Sequence, residues 1–340
     1  MDQSLPIVLD PTNLPAFLIE HGWRKDGGNL TVSPLSGGVS NQAFWVEGPD
    51  GPAVVKQARP RLAVAMEWLA DVGRIVREAE AMDWLHQRLG SPRIPRMLHL
   101  DKEAKVLMME AVEAPAENYK TRLLRGEVNP EHAAAFGGLL ADLHNHTADA
   151  ATRERFGDAT FFDQLRLSPY YDTVAERHPG LAPRIAELRR ECRQDCFCLV
   201  HGDYSPKNVL VRGETLILLD YEVAHWGNPS FDLGFALTHF LCKALHLPAH
   251  GPAFIRAARR FWEAYQSGIT LPEASRAQAG SHLAVIMLAR MDGKSPLEYF
   301  TNEYKRRIVR NLASLGLSRP DTTIDEVIGG TESAMEVLRT

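Results

Sequence analysis

A change of hydrophobic rhythm near residue 112 constrains this chain more than any other feature. From Leu30 to Met109 apolar residues come in short runs between glycine and proline turns. Beyond Val112 they recur every three or four residues over long stretches. The first rhythm is that of strands and the second that of helices. Strands are predicted over 30–35, 42–47, 53–56, 96–100 and 105–109. One helix, 73–89, interrupts them, with Ile75, Ala79, Met82, Leu85 and Leu89 on one face and Gly90-Ser91-Pro92 as its stop. After a linker at 110–115, helices are predicted over 131–144, 181–194, 232–247, 253–266, 275–292 and 297–315. The expected fold class is α+β, with a small β-rich N-terminal lobe (1–111) and a large, mostly helical C-terminal lobe (112–340). A chain of 340 residues is the right size for two such lobes.

The chemistry concentrates in one stretch, Leu199-Val200-His201-Gly202-Asp203-Tyr204-Ser205-Pro206-Lys207-Asn208-Val209-Leu210-Val211. Asp203 and Asn208 have the aspartate-to-asparagine spacing of a kinase catalytic loop. Pro206 breaks any continuous helix between them, which lets both side chains converge. Val209-Leu210-Val211, a turn at Arg212-Gly213-Glu214 and Leu216-Ile217-Leu218-Leu219 read as a hairpin that returns Asp220 toward Asn208. An amide oxygen and a carboxylate are hard ligands suited to Mg²⁺, and Glu222 shares the strand parity of Asp220. Singly, each of these residues is an ordinary turn or strand-end residue. Their spacing makes the set informative.

Upstream, Lys56 ends the apolar strand Ala53-Val54-Val55-Lys56, where kinases carry a phosphate-pairing lysine. Glu78 falls inside the apolar stripe of helix 73–89 and Glu80 falls off it. A carboxylate on a buried face needs a cation, so Glu78 is the expected partner of Lys56. Gly37-Gly38-Val39-Ser40-Asn41 lies between two strands ahead of that lysine and suits a phosphate-covering turn. Asp292-Gly293-Lys294-Ser295 imitates a Walker A loop but has Leu288 where that loop needs glycine.

Composition removes other classes. Lys and Arg number 38 against 43 Asp and Glu, a net charge of −5 that argues against nucleic acid as a partner. No apolar run is long enough for a membrane span, and no basic-then-apolar leader opens the chain, so a cytoplasmic protein is expected. The four cysteines lack paired zinc spacing and read as buried thiols of a reducing compartment.

These residues resemble the aminoglycoside phosphotransferase and choline kinase-like superfamily of small-molecule kinases over nearly the whole chain. The most specific stretches are His201-Gly202-Asp203 through Asn208, Leu219-Asp220-Tyr221-Glu222 and Gly227-Asn228-Pro229-Ser230-Phe231-Asp232. Within the superfamily they are most similar to 5-methylthioribose kinases, through Val54-Val55-Lys56-Gln57-Ala58, Trp68, the Asp-x-Glu of Asp220 and Glu222, and the basic run Lys305-Arg306-Arg307-Ile308-Val309-Arg310. The loop Ser205-Pro206-Lys207-Asn208 departs from those kinases and has the general phosphotransferase form.

The resemblance implies a two-lobed, protein-kinase-like fold. It also implies transfer of the γ-phosphate of ATP, with Mg²⁺, to a hydroxyl of a small molecule such as a thiosugar or amino alcohol. Asp203 would be the catalytic base, Asn208, Asp220 and Glu222 the metal ligands, and His201 and Asp232 supports of the loop. ATP would rest its adenine on the linker at Glu110 and Val112, with Gly37, Gly38, Ser40, Asn41, Lys56 and Glu78 around its phosphates. Arg306 and Arg307 would meet the acceptor or form a solvated basic face. The short stretch from Asp220 to Asp232, with no A-P-E after it, argues against a protein acceptor. A nucleotide-binding pseudokinase or regulatory protein is the competing class, with a protein kinase as another; a binding-only protein has no use for a base at Asp203. A homodimer is left open.

Overall fold

The computed structural model describes residues 5, 7–25, 29–35, 40–60 and 70–339. Two compact units emerge: Met1–Ala116 together with Ile217–Glu222, and Glu117–Leu216 together with Val223–Thr340. The six-residue return to the first unit has no counterpart in a linear division at residue 111.

In the first unit β1 (Thr31–Leu35), β2 (Asn41–Glu47), β3 (Ala53–Ala58), β4 (Met97–Asp101) and β5 (Val106–Glu110) form an antiparallel sheet in the order β1-β2-β3-β5-β4. Alternation along β3 gives it two faces. Val55, opposite Phe44 and Met108, joins a core with Leu14, Phe17 and Leu18 of helix α1 (Leu14–Glu20). Lys56 therefore projects from the other face. Gln57, wholly buried, accepts from the Leu9 amide at 2.9 Å and donates to Ile7 O at 2.9 Å and Ala104 O at 3.1 Å, which ties the N-terminal segment to the sheet. Helix α2 (Arg74–Leu89) buries Ile75, Glu78, Ala79, Met82 and Leu85 and ends at Gly90, whose φ of 71° only glycine adopts freely.

The second unit is mostly helical: Pro130–Asn145, Ala182–Gln194, Pro229–His246, Gly251–Gly268, Ala279–Asp292, Glu303–Leu317 and Ile324–Arg339 are its long helices. Pro229–His246 is buried from Pro229 to Leu245, as an apolar-all-round helix must be. Among the short strands β6 (Glu117–Asn118), β7 (Cys198–Val200), β8 (Val209–Arg212), β9 (Thr215–Leu218) and β10 (His225–Gly227), β6 pairs with β8 and β7 with β10. β9 carries the chain into the first unit. A π-helix, Asp163–Asp172, encloses Pro169 and runs into helix Thr173–Arg177. The four cysteines are free thiols. Among the described residues no helix is long and apolar enough to cross a membrane.

Candidate active site

In the second unit β7 delivers His201, Gly202 and Asp203 into a loop that one buried carboxylate holds. Asp232, fully buried in the first turn of helix Pro229–His246, accepts from the His201 amide at 2.7 Å and the Gly202 amide at 2.8 Å. Asn228 caps that helix by accepting from the Ser230 amide at 2.9 Å, and an acid in the first turn suits the helix dipole. His144 bridges Asp232, at 3.4 Å, to Tyr265 OH, at 2.9 Å. Gly202 has φ 75°, and a Cβ there would stand 2.9 Å from Val223 Cγ2 and 3.1 Å from its carbonyl oxygen. Tyr204 anchors the other end of the loop by donating to Phe136 O at 2.7 Å.

These constraints fix Asp203. Asn208 Nδ2 donates to its Oδ2 at 2.8 Å and to its backbone carbonyl at 3.0 Å. Arg166 lies 2.9 Å from the same Oδ2 and donates from Nε to Gly202 O at 2.8 Å. Among the described residues Oδ1 takes no hydrogen bond, and the side chain keeps 13% of its surface exposed. Arg166 was not legible in the sequence: it sits in the π-helix, where Pro169 reads as a breaker.

The first unit holds the second cluster. Lys56 Nζ donates to Glu78 Oε1 at 2.5 Å and lies 3.6 Å from Asp220 Oδ1. Glu80 pairs with Lys102 instead, at 3.5 Å. Burial works against the Lys56 ammonium, but Glu78 and Asp220 outweigh it and raise its pKa above the usual lysine value. Lys56 is thus a fixed positive charge. Asp220 has φ 71°, a left-handed conformation that costs about 1–3 kcal/mol outside glycine and gathers at functional sites.

Arg74, absent from the predicted set, is the hub beside them. Fully buried, it donates from Nε to Glu222 Oε2 at 3.1 Å, from Nη1 to Ala70 O and Asp71 O at 3.2 and 3.0 Å, and from Nη2 to Ser40 O and Arg59 O at 2.5 and 2.8 Å. Asn41 Nδ2 also donates to Glu222 Oε2, at 3.2 Å. That oxygen of Glu222, expected on a metal, is thus committed to a guanidinium and an amide. The sequence held a signal for Arg74: it lies one turn ahead of Glu78 on the same buried stripe.

Other expected residues fall as follows. Gly37, Gly38 and Trp68 lie outside the described residues. Glu110 closes β5 and accepts from Arg96 Nε at 3.0 Å and from the Arg96 amide at 3.1 Å, and Val112 is half-buried in the following segment. Arg306 donates to Met291 O and lies 3.4 Å from Glu303 Oε2. Arg307 is exposed, its guanidinium 5.5 Å over the Tyr304 ring.

Each unit by itself carries an oxygen donor suited to a hard divalent cation. Both hydrogen bonds of Asn208 Nδ2 go to Asp203, which leaves the amide oxygen as its ligating atom. In the first unit Asp220 presents a carboxylate 3.6 Å from Lys56 Nζ. Among the described residues no group of three His, Cys, Asp or Glu side chains is disposed to hold a metal by itself.

The architecture is the α+β fold of kinase-like small-molecule phosphotransferases. The chain superposes on amicoumacin kinase hAmiN, solved with AMP-PNP, Ca²⁺ and Ami, with a TM-score of 0.56 at 13% identity, covering 87% of this chain and 90% of that one. A choline/ethanolamine kinase family protein from Mesorhizobium loti gives 0.53 at 15% identity, covering 95% of this chain and all of that one. In sequence, residues 31–277 match the phosphotransferase enzyme family, APH, and the chain belongs to that family. Methylthioribose kinase 2 of Oryza sativa subsp. japonica is 24% identical over 278 residues, 73% of this chain and 64% of that protein. The chain spans less than two thirds of the length of the first curated relatives it matches.

Proposed function

We propose that the protein is an ATP-dependent small-molecule kinase that moves the γ-phosphate of ATP to a hydroxyl of its acceptor. The observation that carries this reading is the state of Asp203: Oδ2 held by Asn208 and Arg166, the loop held by Asp232, and Oδ1 left to meet a substrate proton. The acceptor hydroxyl gives its proton to Asp203 as its oxygen bonds to the γ-phosphorus, and the bond to the β-phosphate oxygen breaks to release ADP. Lys56, steadied by Glu78, sets a positive charge beside the phosphates. Mg²⁺, which Asn208 and Asp220 would hold, neutralises charge on the phosphoryl oxygens when bound. The first unit is then the nucleotide-holding lobe and the second supplies the base and the acceptor site. Methylthioribose belongs among the first acceptors to try, because relatives carry that name.

Replacing Asp203 by Asn removes the base while keeping a side chain that Arg166 and Asn208 can still hold in place. ATP-dependent phosphorylation should fall about 10³-fold or more, with ATP binding kept. Undiminished transfer by a folded Asp203→Asn variant would refute the assignment.

A further inference from the structure

Beyond the base, the second unit gathers more positive charge than the acids near it among the described residues balance. Arg166, which holds Asp203, has its guanidinium 5.8 Å over the Phe235 ring. Phe235 lies 5.8 Å from Tyr170 and 5.6 Å from His239, centroid to centroid. Tyr170 OH receives Arg290 Nη1 at 2.7 Å. On the same helix face, one turn beyond His239, Lys243 Nζ donates to His239 O and Tyr299 OH, both at 3.4 Å. A short relay of aromatic rings thus connects Asp203 to Arg290 and Lys243.

Two acids stand near this relay: Asp203, paired with Arg166, and Glu298, which pairs with Lys120 and also acts on Lys243 and Arg290, so four cations face two carboxylates. Among the described residues Arg290 and Lys243 hydrogen-bond only to neutral groups: Tyr170 OH and Ser295 Oγ for one, His239 O and Tyr299 OH for the other. Arg290 Nε is buried with no hydrogen-bond partner, and Lys243 has no exposed surface. Burial, then Lys243, Arg290, Lys120 and Lys207, hold the His239 imidazole well below the usual histidine range. Burial, with Lys120 and Arg290, brings Lys243 down to about 7 against the opposing pull of Cys242 and Glu298. Cations withdrawn from water and short of counter-charge are costly, and such cost is typical of a site whose ligand brings the missing charge.

We propose that the acceptor carries an anionic group, carboxylate or phosphate, which Arg290 contacts directly and Lys243 attracts from behind. This deepens the kinase reading and rests on it for the word acceptor. Arg290 offers a guanidinium fork for an oxyanion. A polycationic or choline-like alcohol meets like charge instead.

The test titrates the intact protein, without nucleotide, with a matched pentose-derived set: ribonate and ribose 5-phosphate as anions, ribitol and methylthioribose as neutral members, and 1-amino-1-deoxyribitol as the cation. The anions should bind at least ~10-fold tighter than the neutral members, and the amine more weakly than either. Arg290→Gln, at a partly exposed position, should remove the preference, Arg290→Lys should keep part of it, and Lys243→Met should weaken it. Three results overturn the proposal: neutral or cationic members binding as tightly as the anions, anion affinity unchanged in folded Arg290→Gln, or no anion binding at about 10 mM. Robust phosphorylation of methylthioribose, with no anion preference, would leave the kinase reading standing and sink this one. Anion binding with no ATP-dependent transfer to any alcohol would do the reverse.

Discussion

At the scale of single residues, Arg74 bears the heaviest local duty in the first unit. All five of its N–H donors are engaged, on four backbone carbonyls and one carboxylate. A cation in the first turn of a helix opposes the helix dipole, so these bonds are what hold it there. Arg74→Met leaves Glu222 buried without its cation and should destabilise the protein by about 3–5 kcal/mol in denaturant unfolding. Adding Glu222→Met should restore part of that loss, because removing both charges is milder than orphaning one. Lysine is no substitute, since one ammonium cannot serve five directions. Lys56, Glu78, Asp203, Asn208 and Asp220 were legible from spacing and stripe position. Arg74 lies on the same stripe, one turn ahead of Glu78. Arg166 had no local signal, since only tertiary folding sets it against Asp203.

At the scale of elements, periodicity located the strands of the first unit to within two residues and the six long helices it predicted in the second to within six, the widest gap being the helix expected from 297, which starts at Glu303. It failed where packing overrides propensity. Asp163–Asp172 stays helical through Pro169 by taking the wider π form, a local adjustment common near functional sites. The terminal helix Ile324–Arg339 buries Ile324, Val327, Ile328, Thr331 and Met335 at helical spacing, so its signal was present and unread. The loop after β7 depends on Gly202, whose φ of 75° and crowding by Val223 leave no room for a side chain. Gly202→Ala should lower kcat more than it raises KM for ATP, and stability should drop by about 1–3 kcal/mol. Steady-state kinetics beside thermal unfolding measure both; an unchanged kcat would show that the loop tolerates the shift.

At the scale of the whole molecule, the unbalanced charge at Lys243 makes stability respond to pH. The folded group titrates at about 7, whereas an unfolded lysine titrates near ~10.4. Between those values the unfolded chain binds more protons, so this contribution to stability rises with pH. From about pH 7 to about pH 9 the wild type should gain on the order of 2 kcal/mol relative to Lys243→Met. Parallel denaturant curves at the two pH values test this, and a constant gap between the proteins would mean that Lys243 stays charged in the fold.

The return of Ile217–Glu222 to the first unit also governs how this protein can be dissected or recombined. A fragment cut after Ala116 lacks Glu222, so its buried Arg74 meets no carboxylate there, and its Lys56 loses Asp220. Neither unit corresponds to one uninterrupted length of gene. Exchanging the first unit between relatives therefore means transplanting two separate coding segments at once, and a single crossover yields a chimaera whose central arginine has been parted from its acid.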